Sequence, residues 1–251
     1  MLDQMDLSVA ISKDEYNDKI SSLKDQLTLL HRAGWEAKIP ILVLFEGWEL
    51  TGKGEVINQL ARTMDPRGFK IYSFTDCRGA GLPWLWPYWM KLPAYGQLAI
   101  YDGSWYGRLY QTREEKIHRY QWEKYCQDIV DLERTLKQDG YVLVKFFFHL
   151  QKSEQKQRIL DLQDDPVMGW RVTPQVLAEQ ENFKEHLKAA ENLLSYTETE
   201  WAPWTIVEAT DRNWARLKVF KSLCNAMEQA LLRQRPNGAD VVKKIEEAIA
   251  G

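Results

Sequence analysis

The sequence predicts an α/β fold, a parallel β-sheet sandwiched between helices, with a helical lid after the third strand. Three observations predict it. Short apolar runs bounded by Gly, Pro or Asp alternate with longer helix-patterned stretches, the order that builds parallel sheets covered on both faces. The first run leads into a glycine-punctuated loop, "GWELTGKG" at 47–54, and the loop leads into a helix pattern, "EVINQLARTM". The chain's 251 residues, 45% of them apolar, suffice for one substantial core.

Each element follows in order. Residues 14–35 open the chain as an amphipathic helix, with Ile20, Leu23, Leu27 and Leu30 recurring every three or four positions. Strands are expected at 39–47 ("IPILVLFEG"), 70–76 ("KIYSFTD"), 97–103 ("QLAIYDG"), 141–150 ("YVLVKFFFHL") and 204–209 ("WTIVEA"). Helical patterns occupy 53–64, 84–91, 114–138, 152–163, 174–196 and 211–233. Thr173 before Pro174 reads as an N-cap followed by a first-turn proline, and Asp211 as a second N-cap. "RQRPNG" at 233–238 breaks the last long helix, and the tail at 234–251 carries one further short helix. With no internal repeat and no long linker, residues 1–251 are expected to form a single domain.

Composition excludes several classes. The net charge is −3, so a polyanion must meet a local basic patch, and no nucleic-acid partner is expected. Three widely spaced cysteines, an odd number, argue against a disulfide framework and for a reducing compartment. They show no paired spacing with one another or with His, so no structural zinc site is proposed. The first residues lack a basic segment followed by an apolar one, and the longest apolar runs are too short to span a bilayer. A cytoplasmic protein without a membrane partner is the expectation. Eleven tryptophans are enough to line sites as well as cores.

The loop carries the chemistry. Gly47, Gly52 and Lys53 fit the phosphate-binding spacing G-x-x-x-x-G-K, but Gly54 stands where Ser or Thr is usual. Loop amides and the following helix N-terminus cradle anions, and Lys53 adds a point charge. Without the hydroxyl, Mg²⁺ must be held by carboxylates, and Glu49 and Asp102 are the candidates. Asp102 closes the run "LAIY", the strand-end position of a metal-binding carboxylate; Asp-Gly is equally a turn dipeptide.

Residues 108–124 carry two net positive charges, with Arg113, Lys116 and Arg119 recurring every three residues on one helical side. That pattern suits either a solvated helix or a basic lid over a polyanion, the lid spanning about 104–138. His118 within it reads as a surface or network histidine. Lys145 interrupts a central apolar strand and must reach a partner or a phosphate, or snorkel. Trp170 and Arg171, in "DDPVMGWRVTPQ", could shape a base or phosphate pocket. Arg212 and Arg216 follow the last strand.

Taken together, "FEGWELTGKGE", "DPRGF", "LPAYGQ", "YDGSWYGR", "DGYVLVKFFFHLQKSEQKQR", "DPVMGWRVTP" and "TETEWAPWTIVEATDRNWARLKV" make the chain from about 14 to 230 resemble the polyphosphate kinase 2 family. These are P-loop phosphotransferases working between inorganic polyphosphate and nucleotides. The resemblance implies a P-loop kinase-like sheet and a phosphate cradle of Gly47, Thr51, Gly52, Lys53 and Gly54. It further implies Mg²⁺ on Asp102 and Glu49, Arg108 opening a polyphosphate lid with Arg113, Lys116 and Arg119, and Lys145 and Arg171 facing phosphates or nucleotide. Trp105 and Tyr106 also match. AMP, ADP or GDP are the implied nucleotides, and a homo-oligomer the implied assembly.

The departures are specific. Active members usually have Asp at the position of Glu49, Arg at that of Gly103 and Asn at that of Gly107. A basic residue is common where Gly169 stands, and the aromatic segment before "LPAYGQ" offers only Lys91. The Glu-for-Asp exchange is similar to the amino-terminal half of two-domain members that phosphorylate AMP. Two readings follow: a polyphosphate:nucleotide phosphotransferase, or a catalytically degenerate nucleotide- or polyphosphate-binding module acting through assembly. An ordinary ATP-dependent nucleotide kinase is a distant third.

Overall fold

The computed structural model describes residues 1–74, 81–114, 118–233 and 238–250, and of 111–114 and 250 the backbone alone. Five strands, β1 (Ile41–Gly47), β2 (Phe69–Ser73), β3 (Leu98–Asp102), β4 (Val142–His149) and β5 (Trp204–Glu208), form one parallel sheet in the order β2-β3-β1-β4-β5. The centre of the sheet is driest. All of β4 and six of the seven residues of β1 are buried, so both read as uninterrupted apolar runs rather than alternating ones. At one edge, β2 exposes Lys70, Ile71 and Ser73.

Helices α1 (Lys13–Glu36), α2 (Lys53–Thr63), α3 (Trp86–Trp89), α4 (Gly107–Glu114), α5 (Arg119–Gln138), α6 (Lys152–Gln163), α7 (Pro174–Glu181), α8 (Phe183–Thr197), α9 (Arg212–Arg233) and α10 (Gly238–Ala250) complete the described elements, with 3₁₀ turns at Leu2–Gln4 and Gly169–Arg171. Ser12 starts α1 by accepting the Glu15 N–H at 3.2 Å. Ile20, Leu27 and Leu30 are buried, and α1 packs along α9. The tail helix α10 buries Val242 and Ile245 against α1 and α9. Thr173 and Asp211 cap α7 and α9, accepting the N–H groups of Val176 and Trp214.

Two expected helices are broken. The stretch 174–196 divides at Asn182, whose side chain donates to the Ala178 carbonyl at 3.0 Å and competes with the backbone ladder. The lid expected as one helix across 114–138 is two. α4 ends at Glu114, and α5 begins after His118, which is extended at φ −60°, ψ 144°. Arg113 and Arg119 therefore do not share one continuous helical face, and Lys116 lies outside the described residues. The second half of α5 is not lid but core: Ile129, Leu132, Glu133 and Leu136 are buried.

Candidate functional site

The glycine loop joins the end of β1 to the start of α2, at the carboxyl edge of the sheet, where parallel sheets bind ligands. Gly47 is irreplaceable sterically. Its φ is +122°, and a Cβ there would stand 2.2 Å from the Phe148 carbonyl oxygen. Leu50 also takes a left-handed conformation, φ +60°, a strain of order 1–3 kcal/mol for a side-chain-bearing residue. Its side chain offsets this by packing with Ile159 and Val176. Trp48 is buried, and its indole N–H donates to His149 Nδ1 at 2.7 Å. Burial pushes the His149 pKa down to about 4, so the ring is neutral and Nδ1 is free to accept.

Lys53 curls beneath the loop, donating to the carbonyls of Gly47 at 2.7 Å and Trp48 at 2.9 Å. Thr51 is buried and donates to the same Trp48 carbonyl at 2.8 Å, so its hydroxyl serves the loop itself. Gly52, φ +94°, and Gly54 stand at the start of α2, each with open space where a Cβ would be.

Residues that carried no role in the sequence reading hold this loop from behind. Arg158, buried, donates to the Leu50 carbonyl at 3.0 Å and to those of Ala209 and Thr210 at 2.8 Å, while Glu154 pairs its Nε at 2.7 Å. The N–H of Glu49 donates to the Glu179 carboxylate at 3.0 Å, and Gln155 donates to the Glu49 carbonyl at 3.3 Å and also to Glu179. The main chain of Glu49 is thus held on both sides. Arg158 closes the segment "QKSEQKQR", whose place within one of the family-like stretches was the one available signal; nothing local marks Glu179.

The acids converge on one ammonium group. Asp102 ends β3 in register with Phe45 of β1, one strand over from the loop. Burial raises its pKa, Lys53 pulls it back, and the nearby Glu49 charge raises it again. Glu46 is buried, accepts from Ser104 Oγ at 2.6 Å, and is pushed up to about 7 by desolvation, against the pull of Ser104 and Lys53. Glu179 is raised for the same reason and feels the same lysine. Carboxyls crowded into low dielectric with a single cation suit a hard divalent ion with oxygen ligands. Among the described residues no cluster of three His, Cys, Asp or Glu side chains forms a complete cage. A small cation that keeps its waters and takes ligands from substrate phosphates does not need one.

The remaining expected residues divide. The Arg108 guanidinium lies over the Tyr125 ring, 5.3 Å from its centroid, with Nη2 3.4 Å from the phenol oxygen. Arg119 pairs with Glu123 at 2.8 Å and reaches the Tyr196 hydroxyl at 3.3 Å. Arg171 ends the 3₁₀ turn after α6, and the Arg113 side chain and Lys116 lie outside the described residues. Arg212 and Arg216 both clasp Glu55 in the first turn of α2, at 2.8 and 2.7 Å.

Lys145 requires a correction. The resemblance placed it facing phosphates, but its ammonium is fully buried in mid-sheet. It pairs with Glu133 at 2.9 Å and donates to Tyr106 Oη at 3.1 Å and the Thr197 carbonyl at 2.9 Å. Glu133 also accepts from the Trp105 indole at 3.2 Å and the Tyr106 hydroxyl at 2.5 Å. A buried ammonium needs this full set of partners, and α5 supplies the carboxylate. At Gly103 φ is +73°, and an added Cβ would meet the Phe74 carbonyl at 3.0 Å, so a larger residue there requires a different local backbone.

Comparison with known proteins places this geometry. Residues 10–235 match the family model for polyphosphate kinase 2. The chain is 31% identical over 240 residues to the polyphosphate:AMP phosphotransferase of Pseudomonas syringae pv. tomato, covering 94% of this chain and 48% of that protein. It is 29% identical over 248 residues to an ADP-polyphosphate phosphotransferase of Pseudomonas aeruginosa, covering 93% and 78%. A crystal structure of a Pseudomonas aeruginosa protein described as a polyphosphate kinase 2 superposes with a TM-score of 0.88 at 30% identity, covering 93% of this chain and 51% of that one. Polyphosphate kinase 2 from Arthrobacter aurescens, at 23% identity and a TM-score of 0.85, shares the fold. This chain spans about half the length of the polyphosphate:AMP phosphotransferases it matches.

Proposed function

The chain belongs to the polyphosphate kinase 2 family, and on that premise we propose that it transfers a phosphoryl group between inorganic polyphosphate and a nucleoside mono- or diphosphate: AMP, ADP or GDP. The observation that carries this reading is the loop Gly47–Gly54 with Lys53 beneath it and Asp102 at the neighbouring strand end.

In the forward direction, an ionised oxygen of the acceptor's terminal phosphate attacks the terminal phosphorus of polyphosphate. The bridging P–O bond to the penultimate unit breaks. The polymer, one unit shorter, keeps the bond's electrons on its new terminal oxygen. No proton has to move and no covalent enzyme intermediate is needed, so catalysis is positioning and charge stabilisation. Loop amides and Lys53 bind phosphate; entry of phosphate draws the Lys53 ammonium away from the Gly47 and Trp48 carbonyls that now hold it. Asp102 and Glu49 would hold Mg²⁺, which supplies charge neutralisation between donor and acceptor phosphates. The basic segment from Arg108 to Arg119, with Arg113 and Lys116, contributes cations for the polymer, and Arg171 adds one for phosphate or nucleotide. Two free buried thiols, Cys126 and Cys224, agree with a cytoplasmic setting, and no described helix is long and apolar enough to cross a membrane. The exposed Trp86, Trp89 and Met90 beside the β2 edge offer a face for a homo-oligomer.

The test is a coupled assay with long-chain polyphosphate, Mg²⁺ and each nucleotide. Lys53→Ala should lower turnover at least a hundredfold. Tight nucleotide binding without turnover in the unaltered chain would instead identify a binding module.

A further inference from the structure

One helix, α6, shapes the rear of the phosphate loop. Gln155 and Arg158 stand three positions apart on it, so they project from the same side one turn apart. Both side chains are buried. They take successive carbonyls of the loop: Gln155 Nε2 donates to that of Glu49 at 3.3 Å, and Arg158 Nη1 to that of Leu50 at 3.0 Å. Ile159, next on the helix, packs against the Leu50 side chain.

A trans peptide is planar, and its C=O and N–H point in opposite directions. A carbonyl drawn towards α6 therefore turns the following N–H away from α6. The two bonds set the N–H groups of Leu50 and Thr51 in this way. Leu50 sits at φ +60°, and a left-handed residue in a turn brings successive N–H groups to one side of the chain, where an anion fits. Among the described residues the Leu50 N–H donates to no protein group. Backbone donors of a folded chain are nearly all paired, so an unpaired one in a loop of this spacing points to a ligand.

Arginine has a second use here. Its Nη2 reaches the carbonyls of Ala209 and Thr210, both at 2.8 Å and just past β5, while Glu154 holds Nε at 2.7 Å. β4 lies between β1 and β5, so the planar fork bridges across it and ties the turn after β1 to the turn after β5. A lysine ammonium is a point charge and can serve one side or the other. All three guanidinium nitrogens are engaged behind the loop, so Arg158 acts on phosphate only through the main chain.

We infer that Gln155 and Arg158 are positioning residues, which aim the N–H groups of Leu50 and Thr51 at phosphate by holding the carbonyls of Glu49 and Leu50 behind the loop. This role rests on the phosphate binding proposed above for the same loop. The rival is a purely structural tie, whose loss lowers stability and nothing else.

Pyrophosphate, which carries two phosphates and no base, is titrated with Mg²⁺ into isotope-labelled protein, and the backbone amide signals are followed by magnetic resonance. The chains compared are the unaltered one, Arg158→Lys, Gln155→Met and Leu136→Ala, the last a core truncation on α5 that lowers stability away from the loop. Each is recorded well below its own melting temperature. The Leu50 and Thr51 signals should move in the unaltered chain and in Leu136→Ala, with affinities within twofold of each other. Arg158→Lys should lose the Thr51 response and Gln155→Met the Leu50 response, each with at least tenfold weaker binding, so one informative variant remains if the other misfolds. In turnover, kcat/KM should fall at least tenfold in both and stay within twofold in Leu136→Ala. Folded Arg158→Lys and Gln155→Met that keep the affinity and the amide responses overturn the positioning role and leave the proposed transfer untouched. Amide responses that depend on Gln155 and Arg158, in a chain without turnover, uphold the positioning and remove the transfer. An unaltered chain in which pyrophosphate moves neither amide overturns the positioning whatever its turnover.

Discussion

Lys145→Met separates two roles for one residue. If the ammonium is a structural tie, its removal leaves Glu133 fully buried with only neutral donors, the Trp105 indole at 3.2 Å and the Tyr106 hydroxyl at 2.5 Å. Breaking one side of a buried ion pair costs about 3–5 kcal/mol. The bonds from Trp105 and Tyr106 are present with and without Lys145, so they do not reduce that figure. In a domain of this size 1 kcal/mol moves the melting temperature by about 2–4 °C, so a loss of about 3–5 kcal/mol predicts a fall of roughly 6–20 °C. The double variant Lys145→Met, Glu133→Leu removes the orphaned charge and should recover part of that loss. Calorimetry or urea unfolding measures the stability, and the coupled assay is run well below the new melting point. A melting temperature within 2 °C of the unaltered chain, together with lost phosphoryl transfer, would refute the structural account and return Lys145 to the phosphates.

Three further outcomes follow from the site. Glu46 has its pKa raised from 4.5 to about 7, so the folded chain holds a proton that the unfolded chain releases between those values. The stability it contributes is complete below about pH 4.5 and is lost as pH rises to 7, a change of about 3 kcal/mol. Glu46→Gln, still able to accept from Ser104, should therefore gain on the unaltered chain over that interval in urea unfolding, and a pH-independent difference would contradict the assignment. His149 works in the opposite sense: with its pKa lowered to about 4, stability is complete above pH 6.5 and falls as pH drops towards 4, as the imidazolium can no longer accept from Trp48. His149→Asn should flatten that acid slope in melting curves recorded from pH 4 to 7. Glu49→Asp, assayed at saturating Mg²⁺, is expected to raise kcat on the order of tenfold, since a misplacement of about 1 Å can cost up to ~10²-fold; an equal or lower rate would show a site built around glutamate.

What was legible in the sequence and what was not differ by the range of the contacts involved. The strands β1 and β4 announce themselves because both faces are covered, and the loop announces itself through a fixed glycine and lysine spacing. The helix breaks at His118 and Asn182 fall in otherwise helical patterns, and at Asn182 only the side chain's bond to Ala178 shows the competition. Lys145 was ambiguous because its partner, Glu133, sits on a helix that reads as a charged lid; the carboxylate becomes a core residue only once α5 is laid on the sheet. The clamp on the loop was invisible for the same reason, since Gln155 and Glu179 lie 106 and 130 residues beyond Glu49. That clamp changes the meaning of the glutamate. A free loop could retreat by the length of one methylene and restore the carboxylate to its place. Here the N–H of Glu49 is tied to α7 and its carbonyl to α6, so the extra length has to be taken up by the side chain's own rotamers. The consequence is that Glu179→Ala should relieve the mismatch in part at the expense of loop order, whereas Glu179→Gln, which keeps the acceptor, should leave it intact.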